Sequence, residues 1–197
     1  MILPTSWFPP VSYIAECLHT EELIIEYYET FPKQTYRNRC AIYGPNGKQI
    51  LIVPVKKPDG NHTLTKEIRI DNKVPWQKLH WRSIETAYNN SPFFLYYRDI
   101  FEIFFKKRFD FLTDLNTEIL YSVFKLLGKD RKINYTQAYS PEDHSFAYEQ
   151  ILNKHFFPSY SPYTQVFSAE KGFFSNLSIL DCLFNLGKDT ADYCSCI

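Results

Sequence analysis

The densest set of polar side chains able to do chemistry lies between Glu29 and Val55, where Lys33, Gln34, Tyr36, Arg37, Asn38 and Arg39 run directly into an apolar, strand-like segment. An extended chain alternates its side chains, so Arg37 and Arg39 are expected on one face and Asn38 on the other. Two adjacent guanidiniums suit the forked recognition of a carboxylate or phosphate. Solvated surface charges have the same composition, and isolated surface pairs contribute little. Two more constellations carry polar groups on apolar elements. His80 stands beside Trp81 in a helical pattern, as a core histidine or as a general acid or base near neutral pH. Ser178, Asp181 and Asn185 share one stripe of a helix that is otherwise apolar, facing solvent or an internal polar network.

These groups need elements to hold them. Pro45-Asn46-Gly47 separates the apolar runs Arg39–Tyr43 and Gln49–Val53, which predicts a β-hairpin across 39–53. Upstream, Met1–Leu3 forms a short strand, Pro9-Pro10 opens a helix to about His19, and Leu23–Tyr28 forms a buried strand. Lys66–Ile70 alternates as a further strand. Three helices follow: one from Pro75 with Trp76, Leu79, His80, Ile84, Ala87 and Tyr88 inward, one through Tyr97, Phe101, Phe104, Phe105 and Arg108, and one over 112–127 closed by Gly128. Lys132–Tyr135 is expected as a strand, Ser145–Asn153 as a helix, and Phe156–Tyr163 as a Pro- and Tyr-rich loop. Ser175 or Asn176 caps a last helix ending before Gly187. The fold class expected is α/β or α+β, with a small mixed sheet covered by a block of helices.

Composition bounds the function. The 197 residues carry no linker-like tract and are expected to fold as one domain over 1–197. Lysine plus arginine balances aspartate plus glutamate at 22 each, so no global field draws nucleic acid, and none is expected as a partner. Aromatic residues make up 18%, and their faces fill cores or stack on sugars, Trp81 being one such platform. The N-terminus lacks a signal-peptide pattern and no run approaches the roughly 20 apolar residues of a membrane span, so the protein is expected in the cytoplasm with its five cysteines reduced. There is no glycine-rich phosphate loop, G-x-S-x-G elbow or zinc pattern, so no cofactor and no metal are expected. Glu142-Asp143-His144 is the nearest approach to a metal set, and adjacent residues converge poorly. Cys40 follows the arginines as a buried thiol or an activated thiolate.

The motifs K-Q-T-Y-R-N-R-C followed by N-G and L-I-V-P-V, then H-W-R-S-I-E-T-A-Y-N-N-S-P-F-F-x-Y-Y, Y-x-Q-V-F and L-S-I-L-D-C-L-F-N-L-G, closely resemble the WbqC-like family of bacterial proteins, in the same order and over essentially the whole chain. The resemblance implies a role in O-antigen or other surface-polysaccharide biosynthesis, without a settled reaction. Many members carry H-Q-P-x-Y-x-P after the first strand, where this chain has Leu3-Pro4-Thr5-Ser6-Trp7-Phe8-Pro9-Pro10. Two functions are therefore expected in competition. One is a transferase acting on a sugar or sugar-nucleotide intermediate, with His80 and Asp181 catalytic, the Lys33–Arg39 residues holding an anionic or sugar-containing small molecule, and Trp81, Ser178 and Asn185 completing the binding site. The other is a non-catalytic module that binds a glycan intermediate or a partner enzyme.

Overall fold

A computed structural model describes residues 1–144, 148 and 160–197. The expected helix Ser145–Asn153, apart from Tyr148, and the first half of the Phe156–Tyr163 loop lie outside the described residues. The rest combines helices with small sheets, an α/β or α+β arrangement.

Three parallel strands form the first sheet: β1 (Ile2–Pro4), β2 (Leu23–Glu26) and β7 (Ile133–Tyr135), with β2 in the middle. Parallel neighbours need a crossover. Helix α1 (Val11–His19) supplies it between β1 and β2, and the register sets Pro4 against Glu26 and Ile25 against Tyr135. Pro10 stands at the N-cap of α1, where its fixed φ and missing N–H cost nothing. All three strands deliver their carboxyl ends to one edge, the edge at which open α/β sheets place their ligands.

The hairpin is formed by β3 (Arg39–Gly44) and β4 (Gly47–Ile52), with Gly44 opposite Gly47. Pro45 cannot take a positive φ, so the reversal is completed by Gly47 at φ 106°. Extended structure begins only at Arg39. Tyr36 and Arg37 form a turn preceded by Gln34 at φ 60°, so the alternation expected for Arg37 and Arg39 does not hold. The segment Lys66–Ile70 also departs from the expected strand. A helical turn at Thr65–Glu67 leaves only Arg69–Ile70 as β6, paired antiparallel with β5 (Val55–Lys56). The turn lets the Thr65 and Lys66 amides donate to the Glu29 and Tyr27 carbonyls, bonds that compete with a longer ladder.

Helices α2 (Trp76–Tyr88), α3 (Phe94–Lys106) and α4 (Leu112–Leu126) form the central block. On α2 the inward side chains are Trp76, Trp81, Ile84, Ala87 and Tyr88, whereas Leu79 is 57% exposed. The buried stripe is rotated from the expected one because Trp81 offers far more apolar area than Leu79 and takes the core place between Phe94 and Phe105. Helix α3 ends before Arg108, and its Arg98 pairs across to Glu85 at 3.2 Å while Lys106 pairs with Glu102 at 2.8 Å. After the short α5 (Ser168–Lys171) come α6 (Ile179–Leu186) and α7 (Thr190–Ser195). The cap of α6 is Ser178, whose Oγ accepts from the Leu180 amide, and not Ser175 or Asn176. Asn176 instead holds φ 55° and accepts from the Ser12 amide at 2.9 Å, which ties the α6 entry to α1. One contiguous apolar cluster runs from Leu3 to Cys194 through these elements.

Candidate functional site

Acidic residues almost never lie fully buried unless paired, yet Glu26 is completely buried and Glu29 is 6% exposed. Glu26 closes β2 at the carboxyl edge of the parallel sheet. Its Oε1 accepts from the Thr136 hydroxyl at 2.8 Å and the Tyr28 amide at 2.7 Å, and its Oε2 lies 3.3 Å from His144 Nε2. A carboxylate only accepts, so Nε2 is the nitrogen of His144 that donates in this pair. The imidazole is stacked on Tyr148, with ring centroids 3.8 Å apart. Thr136 follows β7 and also accepts from the Tyr27 amide, so the pair is anchored where β2 and β7 end.

Tyr148 links this pair to a second one. Its hydroxyl donates to Glu29 Oε2 at 2.6 Å, and burial together with the Glu29 carboxylate pushes its pKa up. Glu29 grips Arg37 with two parallel bonds, Nε to Oε1 at 2.6 Å and Nη2 to Oε2 at 2.5 Å, while Thr65 Oγ1 reaches Oε1 at 3.4 Å. Asn116 of α4 completes the cluster by donating to the Arg37 carbonyl at 2.8 Å and to Thr5 Oγ1 at 3.0 Å. Three buried polar atoms here, Arg37 Nη1, the Tyr13 hydroxyl and Asn116 Oδ1, have no protein partner among the described residues. Thr5 belongs to the stretch that replaces the H-Q-P motif, and that stretch leaves β1 at this same edge.

The residues singled out in the sequence are dispersed. Arg37 is turned inward and its fork is filled by Glu29, because a guanidinium that leaves water must be paired. It is therefore not half of an exposed two-arginine clamp. Arg39 sits opposite Ile52 with its Nε buried and unpartnered, and Asn38 is spent on the Val53 carbonyl at 2.9 Å. Lys33 and Gln34 are exposed on the loop, and the Tyr36 carbonyl accepts from the Trp7 amide at 2.9 Å. His80 is half-buried, and its Nε2 lies 2.8 Å from the Ile52 carbonyl and 3.3 Å from the Ile52 amide. It pins α2 to β4, packs against Trp7 and Trp76, and burial lowers its pKa, so it is neutral at pH 7. Trp81 is core, with no face left for a sugar.

Asp181 is sealed completely. Its Oδ2 accepts from the Tyr163 hydroxyl at 2.5 Å and Gln165 Nε2 at 2.8 Å, and desolvation pushes its pKa up to about 6 against those bonds. Ser178 caps its helix and donates to the Phe8 carbonyl, while Asn185 donates to the Asp181 carbonyl at 2.8 Å. The stripe is an internal network that joins α6 to the 163–165 segment. Among the described residues, Asp181, His80 and Arg37 thus have separate partners. Glu142 and Asp143 are exposed while His144 turns inward, and no group of three metal-binding side chains forms among the described residues.

The sequence did contain a signal for the cluster it did not assign. A glutamate in the run Leu23-Ile24-Ile25-Glu26 contradicts a fully buried strand unless partners reach it. Its side-chain partners, Thr136 and His144, are more than 100 residues away in sequence.

All five cysteines are free, and Cys196 alone is exposed. Burial pushes the thiols of Cys17, Cys40 and Cys182 up, so Cys40 is an inert structural thiol. Titration with a chromogenic disulfide is expected to show one fast equivalent in the native protein and five after unfolding. A fast second equivalent assigned to Cys40 would restore its nucleophilic reading.

The comparisons with known proteins give a family and little more. The uncharacterized protein Rv1507c of Mycobacterium tuberculosis is 25% identical over 224 residues, covering 98% of this chain and 95% of its own length. No solved structure matches. The model of the WbqC-like protein family matches residues 5–155, which include β2, β7 and all the pairs at the buried carboxylates, and the chain belongs to that family.

Proposed function

We propose that the chain is a transferase-type enzyme acting on a sugar or sugar-nucleotide intermediate of surface-polysaccharide biosynthesis in the cytoplasm. The observation that carries this reading is the Glu26–His144 pair at the carboxyl edge of the parallel sheet. A histidine held through one nitrogen by a buried carboxylate is oriented for proton transfer through the other. Nδ1 of His144 takes the proton of an acceptor hydroxyl or amine as that atom bonds to the transferred group, and the leaving group departs with the electrons of the broken bond. Burial of the carboxylate and the Tyr148 stack keep the imidazole in one orientation throughout. The family setting supplies the substrate class. Among the described residues no helix is long and apolar enough to cross a membrane.

The second reading, a non-catalytic module that binds a glycan intermediate, is favoured by a different observation. Asp181 is sealed, His80 Nε2 is held by backbone, and the stretch Leu3–Pro10 stands where many members carry the polar H-Q-P-x-Y-x-P motif.

Incubation with nucleotide sugars and with acyl and aminoacyl donors, followed by mass spectrometry, separates the two. Turnover is expected, and His144→Gln, whose Nε2 can still donate to Glu26, is expected to lower it at least 100-fold, the range of general base catalysis, with the melting temperature little changed. Turnover that survives His144→Gln sinks the assigned base. Saturable sugar binding with no turnover of any donor selects the binding module.

A further inference from the structure

A cavity of about 290 Å³ opens beside the β5–β6 pair, lined by Lys56, Arg69, Ile70, Asn72, Lys73, Arg108 and Asp110. It shares no residue with the buried carboxylate network, and nothing proposed above uses it. Lys56 and Arg69 are register partners across the two strands. Opposed residues on an antiparallel pair have Cβ atoms about 5 Å apart, and like charges in that position destabilise the pairing. Lys73 and Arg108 add two more cations to the same wall. Two carboxylates offset them: Asp71 accepts from Lys56 Nζ at 3.0 Å, and Asp110 lies 3.7 Å from Arg108 Nε. Four cations against two carboxylates leave a surplus of two positive charges, in a chain whose formal net charge is zero.

The arrangement is also shaped. The Arg69 guanidinium lies over the Phe111 ring, 4.5 Å from its centroid, which holds the plane while leaving its N–H edges open to an acceptor. Neither the Arg69 guanidinium nor the Lys73 ammonium has a carboxylate at ion-pair distance among the described residues, and Asp71, the acidic neighbour of Lys73, accepts from its amide and is already paired with Lys56. A dianion with several oxygens would relieve the Lys56–Arg69 opposition, accept the Arg69 fork and satisfy Lys73 at once. We propose that this cavity is a binding site for a phosphate or diphosphate group. The inference stands apart from the transferase reading, because it holds whether or not His144 moves a proton.

The test is isothermal titration of the whole protein with pyrophosphate, and with inorganic phosphate and sulfate, at constant ionic strength. Pyrophosphate is expected to bind in preference to sulfate. Arg69→Gln/Lys73→Gln should weaken it at least tenfold, and Arg69→Lys, which keeps the charge and loses the fork, should weaken it several-fold. Lys125→Gln/Lys188→Gln removes the same charge from exposed positions elsewhere and should change nothing. A nucleoside diphosphate that displaces pyrophosphate identifies a soluble ligand. Phosphatidylglycerol vesicles that bind the protein and release it to pyrophosphate identify a lipid headgroup, and either result supports the site. No pyrophosphate binding by the wild type, or equal weakening by the two double variants, overturns it.

Discussion

Arg37→Ala is expected to destabilise the protein by about 3 to 5 kcal/mol, the cost of leaving one member of a buried ion pair without the other. The guanidinium is 1% exposed and makes a bidentate pair with Glu29, whose Oε2 also takes the Tyr148 hydroxyl. Removing it strands a carboxylate among Thr65 and Tyr148, and those neutral donors cannot replace a guanidinium. Replacing both partners, as in Arg37→Ala/Glu29→Gln, removes the stranded charge and should cost clearly less than Arg37→Ala and Glu29→Gln added together. Urea unfolding of the four proteins checks this through shifts in midpoint at constant slope. Were Arg37→Ala to cost under about 1 kcal/mol, the pair would be solvated and the turn at Tyr36–Arg37 would open in solution.

That pair also shows where the sequence is informative and where it is not. The hairpin is visible in the chain because Pro45-Asn46-Gly47 carries its own turn chemistry, and α1, α3, α4 and β7 are visible because their apolar spacing and terminal Pro or Gly residues are local signals. The tilt of α2 is not, since whether Leu79 or Trp81 faces inward depends on which of them Phe94 and Phe105 leave room for. The small parallel sheet is hidden for a related reason: β1 and β7 are three residues each, and their pairing with β2 is set by crossovers and not by turns. The density of cations around Arg37 and Arg39 suggested an exposed clamp. Local spacing carries no information about a carboxylate eight residues upstream folding back to fill the fork.

The buried carboxylates lay further beyond reach. Glu26 and Glu29 acquire their meaning only when His144 and Tyr148 arrive from the far end of the chain, and the only local hint is a charge placed where an apolar residue is due. His80 shows the converse. Its neighbours and its place on the helix suggested a cleft, and the structure uses Nε2 to hold the Ile52 backbone of an otherwise unpaired strand edge. Edge strands need covering, and a ring that takes up a backbone carbonyl meets that need.

Asp181 gives the second large effect, and it is an effect of pH. The group is fully buried, and its pKa is pushed up to about 6 from an ordinary 3.8. The folded protein therefore holds this proton more tightly than the unfolded chain does. Its stabilising contribution is complete below about pH 4 and is lost as pH rises through about 6. The loss amounts to roughly 3 kcal/mol, from about 1.4 kcal/mol per unit of pKa difference. Asp181→Asn removes the titration. The amide also rearranges the bonds from Tyr163 and Gln165, but that offset is the same at every pH, so the difference between the two proteins isolates the carboxyl. Urea unfolding at pH 4, 5, 6 and 7 should show the wild type losing roughly 3 kcal/mol relative to Asp181→Asn across that range, with other carboxylates cancelling because both proteins contain them. Parallel stability curves would mean that Asp181 titrates alike in the folded and unfolded chains, and so that water reaches the space between α6 and the 163–165 segment. In that case the stripe Ser178, Asp181 and Asn185 would line an open cleft, and a catalytic role for Asp181 would become the better reading of the helix.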